Sequence, residues 1–499
     1  MRKKLCSRIA MLLCVVTLMI SVVSCKKDQT ENPDETKTDQ TQTDQNLVET
    51  DENGYVKDSL PESANLDREF TIYAWQEQKA WEWCDEETAP TGVLDQALFR
   101  REHAVEERFG VTILRDYHPG SWDDRGEFIQ DLATRINLND HSYDLVDQYL
   151  PAAGIGAMQG LYVDLMNVPN LDFSKPWWPS RLTETASIGS KLYFASGDIS
   201  PTFLINTHCI FANTTLYRNY GLDQYVDGRS IFDVVRDYDW TLETMLLLAR
   251  DKVDTSVGNY GFTADNVVQA DGFFYGGDFL LLETNGDGFP QLSPDLSSQL
   301  LSDWYDDIQK LFTDEYSDVK CTGDPGITPF QTKKSIFHAS TLSNSRKFAE
   351  EGLTFTALPM PMRDSQQQQY STTTNFWVSM FSIPADANLA ESGMIMEALA
   401  SQAYRGVTSV VYYNLFQMRY NSTNGADSAA MFDMVVDSVV LDAARMFAGE
   451  LGMFSAFRNG VGALDENLKP STKMSWMSIY AASEELWQGN LNSLIASVG

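Results

Sequence analysis

The chain has 499 residues, a formal net charge of −33, and 43% hydrophobic and 12% aromatic residues, eleven of them Trp. So large an acidic excess argues against a nucleic-acid partner and against flat docking on anionic lipid. The apolar content is ample for large cores, and the length suits two lobes better than one typical domain.

Arg2, Lys3, Lys4 and Arg8 precede an apolar run from Ile9 to Val23, and the stretch closes in Val22-Val23-Ser24-Cys25. A basic start, a short apolar core and a small residue before the cut form a secretory signal. The run is shorter than the roughly 20 residues a membrane-spanning helix needs. The stretch resembles a bacterial lipoprotein signal. That resemblance implies removal of residues 1–24, a lipid anchor on Cys25, and a place at the cell membrane facing the extracellular side or the periplasm. Lys26 to Gln45 contains no apolar residue larger than Pro33. Such a segment cannot bury enough surface to offset its ordering entropy, so residues 25–66 read as the lipidated Cys and a disordered tether. A flexible chain of about 40 residues spans on the order of 35 Å.

Cys6 and Cys14 lie in the leader. The remaining Cys84, Cys209 and Cys321 are far apart in sequence and do not make a disulfide framework. They read as small buried residues, with pairing of two of them left open. No cofactor or metal-ligand spacing is found.

From Glu69 the elements follow in order. Glu69 to Trp75 alternates and is rich in β-branched and aromatic residues, a strand. Leu94, Leu98, Val105 and Phe109 fall on one helical face, with Gly110 placed to end it. Val111 to Tyr117 is a second strand, Phe128 to Ile136 a second helix, and Tyr143 to Tyr149 a third strand. A βαβαβ run of this kind favours a parallel sheet with right-handed crossovers. Lys191 to Ala195 and Phe203 to Ala212 are predicted strands. Asn213 and Thr241 are predicted helix caps. Leu280 to Leu292 reads as a hairpin around Asn285-Gly286-Asp287-Gly288, and Leu300 to Phe312 as a helix. Strands are expected at 335–339, 354–358 and 377–383, and helices over most of 388–498.

Gly154-Ile-Gly156-Ala-Met-Gln-Gly160 misses a dinucleotide fingerprint by one residue, and it follows the third strand rather than the first. It reads as a tight strand-to-helix turn. There is no P-loop, GxSxG or HExxH, and Asn285-Gly-Asp-Gly lacks the further carboxylates of a calcium loop. No catalytic residue can be nominated from sequence.

Taken together, Tyr73-Ala-Trp75-Gln76, then Val105 to Thr112, Tyr143-Asp-Leu-Val146, Met158 to Leu165, Gly189 to Phe194, Ile210 to Asn213 with Tyr220 to Leu222, Asp239 to Glu243, and Lys333 to His338 keep a familiar order. Over about 67–499 the chain resembles the extracellular solute-binding proteins of bacterial ABC importers (family 1, sugar-binding type). The resemblance implies an α/β, two-lobed, periplasmic-binding-protein-like fold of type II. Each lobe is a mixed, mostly parallel sheet flanked by helices, and the C-terminal region is helical. It implies crossings near 198–202, 322–328 and 374–378, with lobe one at 67–199 plus 325–375 and lobe two at 200–324 plus 376–499. It also implies a non-enzymatic, monomeric protein that captures a carbohydrate, an oligosaccharide by its size, between the lobes and passes it to permease subunits in the membrane.

Ligands of open α/β sheets bind beyond the carboxyl ends of strands. That rule, with the expected crossings, selects Trp75, Gln76, Asp147, Gln148, Tyr149, Asp198, Ser340, Thr341, Asn375 and Trp377. Phe274 and Tyr275 join them from a loop the family turns toward its cleft. Aromatic faces suit the C–H faces of a pyranose, and amides and carboxylates suit its hydroxyls. No Arg or Lys falls in this set, which counts against a phosphate or dicarboxylate. Trp75 could equally be core, and Trp81, Trp83, Trp177 and Trp178 read more readily as packing than as platforms. The competing functions are a surface-anchored glycoside hydrolase and a binding protein for a peptide or other non-sugar solute.

Overall fold

A computed structural model describes residues 49–498 apart from 87, 89, 251–257, 314–325, 412–424 and 462–471. Cys25, residues 26–48 of the expected tether and Cys321 lie outside the described residues. Residues 49–66 are not the disordered tether expected from sequence but pack on the body, with Asp58 accepting from Arg108 and the Ala64 and Leu66 amides donating to the Arg108 and Phe109 carbonyls. The first sheet grows from β1 (Arg68–Trp75), β2 (Val111–His118) and β3 (Leu145–Tyr149), with β1 pairing in parallel with both neighbours. The crossovers are α1 (Val93–Phe109) and α2 (Arg125–Leu138). Gly110 ends α1 at φ 64° and ψ 40°, where its amide donates to the Glu106 carbonyl. Only glycine takes that left-handed geometry without steric cost.

After β3 the chain enters α3 (Leu150–Met158) at once. Gly154 and Gly156 therefore lie inside a helix, not in the turn expected from sequence. Their role is close approach. A Cβ on Gly154 would sit 2.5 Å from the Met446 carbonyl oxygen, and one on Gly156 would sit 2.2 Å from the Tyr162 hydroxyl.

The run expected as a strand over 203–212 splits in two. Ser200 caps α4 (Pro201–Ile205) by accepting from the Phe203 amide, with Pro201 in the first turn, where a missing N–H costs nothing. Only then does β4 (His208–Asn213) begin. Residues 191–195 form isolated bridges rather than a strand, Ala195 pairing with Phe381. Asn213 and Thr241 cap their helices as expected, with Asn213 Oδ1 accepting from the Thr215 and Leu216 amides.

The second sheet contains β4, β5 (Tyr260–Ala264), β8 (Ser335–Thr341) and β9 (Phe355–Leu358) in the order β5-β8-β4-β9. The hairpin strands β6 (Leu282–Thr284) and β7 (Pro290–Leu292) form a separate ribbon. The last strand, β10 (Ser379–Ser382), returns to the first sheet and pairs antiparallel with β3, giving β10-β3-β1-β2. These pairings correct the expected lobes. Residues 335–358 belong with the second sheet, not with 67–199, and the start of 376–499 belongs with the first. β5 and β8 are hydrogen-bonded neighbours in parallel; most of the crossing expected at 322–328 lies outside the described residues. The chain passes from first sheet to second between Tyr149 and His208, and returns between Leu358 and Ser379.

Helix α5 (Gln269–Gly276) lies where a cleft-facing loop was expected. Helix α6 (Leu389–Gln402) packs on α1, and α7 (Gly425–Asp437) packs on β9. The final helix, α8 (Trp476–Val498), touches α3 of the first lobe and the helix Gln299–Phe312 of the second. Cys84 and Cys209 are buried and free.

Candidate functional site

β1 and β3 run in the same direction, so Trp75 and Tyr149 emerge together at the carboxyl edge of the first sheet. The Trp75 indole is fully buried and donates to Ser379 Oγ at 2.8 Å. Its ring stacks on Tyr149 at 5.1 Å and on Trp377 at 6.0 Å, the latter only 20° from parallel. Tyr149 and Trp377 are 5.6 Å apart. Trp377 alone is open, at 40% exposure.

Two crossing segments hold that open ring. The Trp377 amide donates to Asn375 Oδ1 at 2.8 Å, and its carbonyl accepts from Asn206 Nδ2 at 2.6 Å. The Asn375 amide donates to the Asn206 carbonyl at 2.8 Å, and Thr207 bridges Thr374. A flat apolar face is thus fixed by backbone at the junction of the two lobes.

Phe376, the residue before Trp377, belongs to a second group of rings. Phe376 lies 4.8 Å from Phe454, and Trp122 lies 5.7 Å from Phe454 and 6.5 Å from Phe376. Trp122 follows β2 and obeys the strand-end rule that selected Trp75 and Tyr149, so it was within reach of sequence reasoning. Phe454 comes from the helical tail and has no local signal. The same floor gathers Arg125, Arg445 and Arg458, whose guanidinium carbons lie over Trp122, Phe376 and Phe454 respectively. The set drawn from sequence contained no cation, and that feature does not describe this region.

The other selected residues divide. Gln76 is exposed just beyond β1. Asp147 is fully buried and accepts from Trp83 Nε1 at 2.6 Å. Burial, and then the neighbouring Glu82 charge, push its carboxyl up to about 8. Gln148 is fully buried, donating to Ser382 Oγ at 2.9 Å and accepting from the Tyr162 hydroxyl at 2.6 Å. Both brace β3 from within. All five residues of β3 are buried, as befits a strand covered on both faces.

Phe274 and Tyr275 are buried in α5, with Phe274 against Phe457 at 5.1 Å. Ser340 Oγ donates to Asp265 at 2.5 Å, and Thr341 Oγ1 lies 2.7 Å from Ser343 Oγ. These polar groups stand at the carboxyl edge of the second sheet, already paired. His208, at the start of β4, faces Gln269 at 2.7 Å, and burial with the Arg445 charge holds it down to about 4.

Asp198 accepts from the Thr408 hydroxyl, and burial pushes it up to about 7. It lines a cavity of about 610 Å³ with Trp178, Phe203, Tyr404 and Val439. That cavity shares no lining residue with the ring stack. Trp177 and Trp178 donate to the buried Glu397 at 3.1 and 2.9 Å, and Trp83 donates to Asp147, so all three are packing residues. Among the described residues no cluster of His, Cys, Asp or Glu is arranged to hold a metal ion, and no helix is long and apolar enough to cross a membrane.

No protein-family model and no curated protein matches the chain. Solved structures do. An ABC substrate-binding protein from Listeria monocytogenes, in complex with cycloalternan, is 13% identical with a TM-score of 0.53, over 85% of this chain and 99% of that one. An extracellular solute-binding protein from Staphylococcus aureus, in complex with maltose, is 11% identical with a TM-score of 0.52, over 86% and 96%. A cyclo/maltodextrin-binding protein complexed with maltotetraose is 14% identical with a TM-score of 0.51, over the same shares. The fold is periplasmic-binding-protein-like, of type II. Each of these neighbours is a binding protein, and each holds a carbohydrate.

Proposed function

We propose that the protein is a membrane-anchored extracellular solute-binding protein, non-enzymatic, that captures a carbohydrate in the crevice between its lobes and delivers it to an ABC permease. The observation that carries this reading is the stack of Trp75, Tyr149 and Trp377, whose open outer ring lies where the two crossing segments meet. A pyranose offers a flat C–H face to such a ring and hydroxyls to groups around it. The inner rings fix the platform, so little ordering is left to do when a ligand arrives. The neighbours' bound sugars support the same chemistry. The lobes proposed here are 67–196 plus 379–411 for the first and 208–358 plus 425–437 for the second, with the C-terminal helices spanning both. Closure by a hinge at 197–207 and 359–378 would bury the ligand.

Calorimetry against a panel of oligosaccharides, paired with solution scattering, tests the proposal. A saturable heat and a smaller radius of gyration with at least one sugar are expected. No heat and no compaction with any of them would remove it. The lipid anchor rests on the Val22 to Cys25 sequence. Full-length protein should enter the detergent phase of a cloud-point extraction and Cys25→Ser should not; equal partitioning of the two would remove the anchor.

A further inference from the structure

Three guanidinium groups converge on the aromatic floor beside Trp377, in a chain whose net charge is −33. Arg125 begins α2, and its guanidinium carbon lies 3.9 Å from the centre of the Trp122 ring. Arg445 lies 4.4 Å from the centre of Phe376, and Arg458 lies 5.1 Å from that of Phe454. The three rings are mutual neighbours, so the cations lie around one continuous apolar surface.

Their counter-charges are few. Asp271 Oδ2 accepts from Arg445 at 3.1 Å and from Arg458 at 2.9 Å. Among the described residues it is the only carboxylate that forms an ion pair with any of the three side chains. Arg445 is sealed, with 1% of its side chain exposed, and spends its other amino group on the Thr374 carbonyl at 2.7 Å. Its position is structural. Arg458 keeps 14% of its side chain exposed and uses only one amino group on Asp271. Arg125 donates to the Trp122 carbonyl, and its buried Nε has no partner. Two other carboxylates lie nearby. Asp442 accepts from the Leu281 amide at 2.7 Å, and Glu450 faces Arg125 without a hydrogen bond to it. Burial pushes both of these carboxyls up, toward their neutral forms. Burial raises the Tyr149 phenol, and the three guanidiniums pull the other way.

Resting on the carbohydrate reading above, we propose that the sugar taken by this crevice is acidic: a pyranose bearing a carboxylate or a sulfate ester, with its ring on Trp377 and its anion between Arg458 and Arg125. Shutting the lobes over two partly exposed guanidiniums strips them of water. Buried charge of one sign is costly unless a partner of the other sign is buried with it. Asp271 is already shared by two arginines, so an anionic ligand supplies the missing charge. Arginine suits the task because its fork matches the two oxygens of a carboxylate or sulfate.

Matched pairs decide the matter by calorimetry: trigalacturonate against its carboxyl-reduced twin, and a 6-sulfated disaccharide against its unsulfated twin. At least one acidic member is expected to bind ten-fold or more tighter than its neutral twin; which pair separates tells carboxylate from sulfate. Neutral twins that bind as well or better overturn the acidic assignment and leave the carbohydrate reading standing. Silence from all four probes overturns the acidic assignment, and the wider oligosaccharide panel then decides the carbohydrate reading separately. Arg458→Gln is expected to weaken the acidic probe by about 10- to 100-fold while moving the neutral twin less than two-fold, and Arg458→Lys to restore part of the loss. Equal weakening of both twins, with a lowered melting temperature, would make Arg458 structural and overturn its role. Arg125→Gln gives a second reading of the same discrimination if Arg458→Gln folds poorly.

Discussion

Trp377 lies at a crossing expected from sequence, and in the structure it is the open ring of the stack. Its backbone, rather than its indole, ties the two crossing segments together through Asn206 and Asn375. Trp377→Ala should therefore cost affinity more than stability. About 1 kcal/mol or more of stacking is at stake, a five-fold or greater rise in the dissociation constant for the best sugar, with a melting temperature within about 2 °C of the parent. A large drop in melting temperature at unchanged affinity would make it a packing residue. Tyr149 and Trp75 were selected by the strand-end rule; burial was left open for Trp75 and was not foreseen for Tyr149. The rule locates the end of a strand and says nothing about which face of that end is covered. Asp147 and Gln148 fail for that reason: β10 and the Trp83 segment cover them, and both arrive from distant parts of the chain.

Elements were clearest where periodicity and caps agree. The helix ended by Gly110 and those capped by Asn213 and Thr241 follow local chemistry, and the structure keeps them. The apolar run from Phe203 hides a helix because Phe, Leu and Ile serve a buried helix and a buried strand alike; Ser200 and Pro201 are the only local clue. Strands β8, β9 and β10 were legible as strands but not by sheet, since pairing is a property of partners far away in sequence. The glycines of α3 give an element-scale test. In Gly154→Ala the new methyl group would lie 2.5 Å from the Met446 carbonyl oxygen. Relief demands separating α3 from the 443–451 segment, so unfolding free energy should fall by about 1–3 kcal/mol in a urea titration. A variant as stable as the parent would show that the contact yields at no cost.

At the scale of the molecule, buried carboxyl groups set the response to pH. Burial pushes Asp147 up to about 8, and Asp198 and Glu397 up to about 7. An unfolded chain releases these protons near pH 4, whereas the folded one holds them until near 7 or 8. Over that interval the folded state binds more protons, so stability falls as pH rises. His208, held down to about 4, opposes this only below about pH 6.5, where the unfolded imidazole gains a proton. Between pH 6 and pH 8 the carboxyls dominate, and the melting temperature should be lower at pH 8. Asp147→Asn should flatten the difference, and a parent that melts higher at pH 8 would contradict the account. The return of β10 to β3 has a bearing on biogenesis. Nothing before residue 379 can finish the first sheet, because the flank of β3 waits for a strand some 230 positions downstream. A nascent chain emerging from a ribosome thus keeps its opening third incomplete until most of the polypeptide has been made. In the exported protein proposed above, that delay would favour passage through a translocation pore as a loose thread, with maturation deferred to the far side.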